Sequence, residues 1–368
     1  MNYIIPFLIL ITIVVFIHEY GHYYFAKKYG VGITDFSIGF GREIFGWNDK
    51  SGTRWKICWI PLGGYVKFFG DRNVFSESEQ QEVINRYNDE DKKRLFILKP
   101  LYQRSLIVAA GPVANFVLAI LIFAIINMTA GKDMTPAVIN EVQEDSPAFV
   151  AGMKKNDKII SIDNKKIQSI FEVSTFINIS TSKTIEFILL RNDQEISMLV
   201  KPNLVDGKDF LGNSVKKRMI GIKLSPLNNE FQKQPLGPSK AIYYSVKEVW
   251  FVTVTSLNYI GKMITGSADS SQLGGPIRIA KITGQVAEHG IVPFLIIIAY
   301  ISISLGLINL FPIPMLDGGH LMFYLIEKIL GKPLSQKTQE SFFRIGLFLL
   351  FSLMFFVTFN DLKDLGLF

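Results

Sequence analysis

Cysteine is nearly absent from this 368-residue chain, where Cys58 stands alone. One thiol excludes an internal disulfide and a cysteine-built metal site. Histidine is scarce too, at four residues, so any metal site has few donors to draw on. Charged side chains amount to 19%, below the ~25% of an average soluble domain. With 49% hydrophobic residues and 30 phenylalanines, that shortage excludes a disordered or collagenous chain and points to lipid. The cationic excess is small, 39 Lys and Arg against 32 Asp and Glu. In so apolar a chain it reads as positively charged cytoplasmic loops, not as a nucleic-acid surface.

Four stretches are apolar enough to span a bilayer: Tyr3–Ile17 resuming at Tyr23–Ala26, Ser105–Ile126, Ile291–Leu316 and Phe342–Phe359. Each is near the ~20 residues a helix needs to cross the hydrocarbon. The first lacks the basic leading region and small-residue cleavage site of a signal peptide, so it reads as a retained span. Ala241–Ile260 is weaker, because Lys247 and Glu248 interrupt it and polar residues recur. It reads as an interfacial amphipathic helix. The connection from Lys27 to Arg104 carries 14 Lys and Arg. The positive-inside rule therefore places it in the cytoplasm and both termini outside.

Residues 137–202 read as a small exported β domain. Short strand-like runs at Val138-Ile139, Lys158–Ile162, Thr184–Leu190 and Glu195–Val200 alternate with turn signals at Asp163-Asn164 and Arg191-Asn192-Asp193. The order Ser146-Pro147-Ala148, Ala151-Gly152-Met153, Asn156-Asp157-Lys158 and Ile162-Asp163-Asn164 resembles a bacterial PDZ domain. Such a domain binds extended peptides at a sheet edge. The competing reading is a β domain that only spaces two membrane halves.

The chemistry is concentrated in His18-Glu19-Tyr20-Gly21-His22, an H-E-x-x-H motif. On a helix, positions i and i+4 share a face, so both imidazoles reach one zinc ion, with Glu19 as general base toward water. Ionisable residues clustered in a span argue for function. A catalytic zinc takes three protein ligands and leaves one position open. Asp317 is the outstanding third donor, being the only acidic residue between His289 and Glu327. It follows Pro312 and Pro314, which prevent a regular helix. Broken backbone at membrane depth occurs where it lines a cavity or packs within protein. His320 is a rival ligand, read more readily as a surface histidine opening the next helix. Depth offers a check. Four crossings bring the two histidines and Asp317 to the same cytoplasmic level, whereas a fifth crossing at 241–260 sets them a bilayer apart.

Taken together, these residues resemble the site-2 protease family of intramembrane zinc metalloproteases, bacterial RseP type. The resemblance runs through His18–His22, Gly39-Phe40-Gly41, Ile60–Lys67, Gly111-Pro112 with Asn115, Gly274-Gly275-Pro276-Ile277, and Asn309 to Gly319. It implies His18, His22 and Asp317 as zinc ligands and Glu19 as catalytic base. It also implies that Ile60–Lys67 enters the membrane as a β element near the active site. There Gly63-Gly64 supplies the bend and Tyr65 begins a strand-like run whose free edge holds substrate extended. Asn309 is read either as a hydrogen-bond donor to substrate or as a helix–helix contact. Asn309, Pro312, Pro314, Gly63, Gly64 and Tyr65 make up the substrate-positioning set.

The expected fold class is thus a polytopic α-helical membrane protein of four transmembrane helices, a membrane-associated β element and one inserted extracytoplasmic PDZ-like domain. The expected order is a first helix (1–27), a cytoplasmic-side loop with the β element (28–103), a second helix (104–130) and the PDZ-like domain (131–205). An extracytoplasmic linker (206–290), a third helix (291–320), a cytoplasmic loop (321–341) and a fourth helix with its tail (342–368) complete it. The expected function is zinc-dependent cleavage of single-pass membrane proteins such as anti-sigma factors or signal-peptide remnants. Those substrates would first be shortened by a site-1-type protease. The expected setting is the bacterial inner membrane, with the active site near the cytoplasmic face and no nucleic-acid partner. The competing class is a zinc transporter or metal sensor using the same ligands without hydrolysis, against which Glu19 argues.

Overall fold

The computed structural model describes residues 3–70, 87–180, 182–208, 214–226, 230–266 and 273–364. The stretch 71–86 of the basic connection lies outside the described residues. In chain order the helices are α1 (Ile4–Lys28), α2 (Asp89–Lys92), α3 (Leu101–Ile126), α4 (Pro147–Val150), α5 (Ile170–Ile179), α6 (Pro238–Ile264), α7 (Pro276–Glu288), α8 (Ile291–Asn309), α9 (Asp317–Leu330) and α10 (Gln336–Asp364). Among the described residues, four helical stretches are long and apolar enough to cross a membrane: α1, α3 with the π-turn that follows it, α8, and most of α10. Their mean hydropathy lies between 2.1 and 2.6. Helix α6 is not among them, in keeping with its interrupted apolar pattern.

The apolar run expected to continue to Leu316 stops being helical at Asn309. Pro312 and Pro314 supply no N–H and bias the residues before them away from helical backbone. The helix restarts at Asp317, so this carboxylate opens α9 and does not close the preceding span.

Contacts divide the chain into two units. One holds Met1–Phe123, Ser245–Thr253 and Leu273–Phe368. It contains a sheet of β1 (Ile33–Asn48) and β2 (Arg54–Phe68), in which Asp35–Ile38 is paired on both sides, to Gly64–Lys67 and to Arg54–Ile57. Arg104 at the start of α3 makes a two-pronged ion pair with Glu327 of α9, at 2.6 and 3.3 Å, with its guanidinium over the Tyr324 ring. The Gly275-Pro276 entry to α7 is held by Asp361 of α10, whose buried carboxylate accepts the N–H groups of Gly275, Ile277 and Arg278.

The turn between β1 and β2 is tied to α1 through Asp49. Its Oδ1 accepts from Ser51 N–H, Ser51 Oγ and Thr53 N–H at 2.6–2.9 Å. Its Oδ2 accepts from the Tyr23 hydroxyl of α1 at 2.8 Å and from Trp55 Nε1 at 3.3 Å. Phe36 stacks on Trp55 with ring centres 4.2 Å apart, and Tyr23 meets both rings edge-on. Burial pushes the Asp49 carboxyl up, but the bonds from Ser51, Thr53, Tyr23 and Trp55 together outweigh it and hold the group well below the usual carboxylate range. A depressed folded-state value stabilises the native form above the unfolded value of ~3.9 and loses that effect on acidification. Asp49→Asn places a donor opposite two donors and is expected to cost about 1–3 kcal/mol. Chemical denaturation should show that deficit at neutral pH, and the gap from wild type should shrink below pH ~4.

The other unit holds Ala124–Tyr244 and Val254–Gln272. Its main sheet has the order β4 (Lys165–Lys166), β3 (Lys158–Ile162), β5 (Ile185–Arg191), β6 (Gln194–Val200). Alternation along β5 turns Ile185, Phe187 and Leu189 inward, each fully buried, against Ile139, Ile159 and Ile162. Asp163-Asn164 and Asn192-Asp193 carry positive φ, as two-residue hairpin turns between such strands require. Asp157, fully buried, takes two bonds from the Arg191 guanidinium at 2.7 Å.

Candidate metal centre

His18, Glu19 and His22 sit on α1, whose flanking Ile, Val and Phe residues give it an apolar surface; His18 is 7% exposed. Asp317 arrives from the far end of the sequence by way of the broken segment 310–316. That segment has an Ile313 N–H bond to Phe311 O at 2.7 Å and a left-handed Met315. Gly318 and Gly319 allow it to fold back, since a Cβ on either would run into the backbone carbonyls of residues 310–313. As the first helical residue of α9, Asp317 also lies where the helix dipole favours an anion.

Three donor atoms converge. Asp317 Oδ2 lies 3.1 Å from His18 Nε2 and 3.5 Å from His22 Nε2, and the two Nε2 atoms are 3.3 Å apart. A four-coordinate zinc with ligands at ~2.0–2.2 Å sets its donors ~3.3–3.6 Å from one another. His22 Nδ1 donates to the Ile107 carbonyl of α3 at 2.9 Å, which leaves a lone pair on its Nε2. Among the described residues Asp317 Oδ2 is buried without a hydrogen-bond donor. A lone pair and an orphaned carboxylate oxygen aimed at one point fit a cation, and one carboxylate with two imidazoles suits zinc. Among the described residues this is the single cluster of three such groups.

Glu19 is half-buried beside this trio. Its carboxylate is within electrostatic reach of His22, His18 and Asp317 and meets the backbone N–H of Val66. The sheet comes close enough to do this because of Gly64. A Cβ there would stand 2.6 Å from the Ser37 carbonyl and 3.3 Å from Glu19 Cγ. The bend expected of both glycines belongs to Gly63, which has φ +147°, whereas Gly64 serves the approach to α1. Tyr65 stacks against Phe40 and faces Lys56 Nζ. Asn309, at the end of α8, places Nδ2 3.4 Å from His18 Nε2. Pro312 is exposed and Pro314 buried; both shape the lead-in to Asp317.

His320 is no ligand in this arrangement. It is half-buried, not on the surface, with Phe323 and Phe343 as ring neighbours. His289 is exposed at the end of α7. The residues whose part was not evident from sequence belong to α3. Gly111 leaves room for the imidazoles, for a Cβ there would come within 2.6 Å of His22 Cε1 and 2.9 Å of His18 Cε1. Asn115 puts Nδ2 3.3 Å from His18 Nδ1. Their signal was the i, i+4 spacing of a glycine and an amide inside an otherwise apolar span.

An H-E-x-x-H helix completed by a distant carboxylate defines the class of zinc metalloproteases, here within a bundle of apolar helices. The sequence matches the profile of Peptidase family M50 over residues 6–353. The chain belongs to that family, the site-2 proteases, and is a membrane zinc metalloprotease. It is 41% identical over 364 residues to a protein of Agrobacterium fabrum named as a zinc metalloprotease, covering 99% of this chain and 96% of the relative. It is 35% identical over 386 residues to the metalloprotease MmpA of Caulobacter vibrioides, covering 99% and 96%. Among solved structures it is similar to the PDZ domain of the SdrC-like protein of Listeria monocytogenes, at 22% identity and a TM-score of 0.20. That match covers 25% of this chain and 90% of the Listeria domain.

Proposed function

We propose that His18, His22 and Asp317 hold the zinc ion and that the enzyme cleaves peptide bonds inside the membrane-spanning segments of single-pass proteins. The observation that carries this reading is the meeting of three donors from α1 and the broken α8–α9 segment. When bound, zinc supplies Lewis-acid polarisation of the scissile carbonyl and makes water acidic enough to attack near neutral pH. Glu19 takes the proton from that water and returns it to the leaving amine. The Asn309 amide donates to the carbonyl oxygen as negative charge grows there. A peptide bond in a helix has its carbonyl occupied and its faces shielded, so the substrate must open before attack. The Gly64–Lys67 stretch, drawn up against Glu19, offers backbone to an extended substrate strand. Pro312 and Pro314 keep the opposite wall non-helical.

The charge distribution supports a cytoplasmic 27–104 connection in the bacterial inner membrane, with extracytoplasmic termini and an active site near the cytoplasmic face. The β domain of residues 131–205 is then an extracytoplasmic PDZ-like module. It admits substrates that a site-1-type protease has already shortened, anti-sigma factors and signal-peptide remnants among them. The test uses the full chain in liposomes with a single-pass substrate, and mass spectrometry of the fragments. New termini within the apolar segment are expected, with cleavage stopped by a chelator and restored by zinc. Cuts confined to residues outside that segment would refute intramembrane action.

A further inference from the structure

Helix α3 presents one stripe to the two imidazoles, at positions i, i+4 and i+8: the Ile107 carbonyl, the bare Gly111 and the Asn115 amide. The carbonyl takes the Nδ1 proton of His22, and the other imidazole has a matching need. His18 turns Nε2 toward Asp317 and His22, so a neutral ring ligating through that atom carries its proton on Nδ1. The Asn115 amide lies 3.3 Å from His18 Nδ1. Asn115 is fully buried, and among the described residues its Oδ1 has no hydrogen-bond partner, with Nδ2 turned toward the ring. Hydrogen-bond capacity decides between the two orientations of an amide, whose oxygen and nitrogen occupy nearly the same space. Oδ1 toward His18 gives the ring proton its acceptor; Nδ2 in that place sets donor against donor.

We propose that Asn115 is a positioning residue for the metal: its Oδ1 accepts the Nδ1 proton of His18, fixing the tautomer and ring angle that leave the Nε2 lone pair for zinc. This rests on His18 being a ligand. Partners of this kind orient the ligand and raise its basicity. The backbone is braced at the same point, since Ser302 of α8 donates its hydroxyl to the Asn115 carbonyl at 2.9 Å. One turn of α3 thereby serves a histidine of α1 and the helix that leads to Asp317.

The experiment follows zinc release from the detergent-solubilised full chain to a chromogenic chelator, without substrate. Asn115→Leu keeps the branched shape, is somewhat bulkier and loses the acceptor; its zinc affinity should fall by about 10–100-fold. Asn115→Asp keeps an acceptor at the same reach and should hold zinc at least as well as wild type. This second variant still decides the matter if the leucine variant does not fold. Melting temperatures in excess chelator should coincide for wild type and Asn115→Leu, so that the difference belongs to metal retention and not to packing. Wild-type retention by Asn115→Leu, or release from Asn115→Asp as fast as from Asn115→Leu, overturns the proposal. His18→Ala in the same assay separates the two readings. If it keeps zinc, the ligand assignment fails and this proposal with it. If it loses zinc while Asn115→Leu does not, the Asn115 role alone fails.

Discussion

Glu19→Gln is expected to slow peptide hydrolysis by about 10²–10⁴-fold, the range for a lost general base, while zinc stays bound at the wild-type level. The substitution keeps the shape of the side chain and its acceptor oxygen toward the Val66 N–H, so the fold is undisturbed. The lost capacity is the one the reaction needs, taking a proton from water and passing it to the leaving nitrogen. Because Glu19 is not among the three converging donors, metal content and rate should separate. Two measurements on one preparation decide it: zinc by elemental analysis and turnover of a single-pass reporter. Turnover within a few-fold of wild type would remove Glu19 from its role. Loss of zinc together with rate would make it a ligand instead.

Gly111→Ala should abolish stable zinc binding, an effect out of proportion to one methyl group. Elsewhere in a helix such a change adds stability, by roughly 0.5–1 kcal/mol, because glycine is the poorer helix former. Here the new carbon would stand 2.6 Å from His22 Cε1 and 2.9 Å from His18 Cε1, well inside contact distance. Either both rings turn away, or α1 and α3 separate where Gly21 already lies against the Ala110 backbone. Both outcomes scatter the donors, and a loss of affinity of at least about 100-fold is expected. Gly261→Ala in α6 is the control, since a Cβ there meets nothing within 4 Å and should leave zinc unchanged. Retention of zinc by Gly111→Ala would mean that the rings do not lie against α3 as described.

The reactive part of this site was legible because it depends on residues rare in an apolar chain. His18, Glu19 and His22 at helical spacing, and one aspartate after two prolines, stand out wherever four histidines serve 368 residues. The spans were legible for a related reason, as lipid selects composition and length. The supporting shell left a weaker trace. Gly111 and Asn115 act on α1 through van der Waals room and one amide, and neither produces a period or a charge pattern in α3. Gly64 likewise reads as a turn former when only its neighbour Gly63 bends the chain. The break after α8 was legible from Pro312 and Pro314, although the apolar run by itself continues to Leu316. Hydropathy does not register that prolines two apart forbid helical hydrogen bonding, and the break is what turns Asp317 inward.

The proposed ligands lie far apart in the sequence, His18 preceding Asp317 by 299 positions. A chain cut short anywhere between His22 and Asp317 therefore carries the two imidazoles and no carboxylate to join them. Without the third donor such a fragment lacks the set that the proposed chemistry requires.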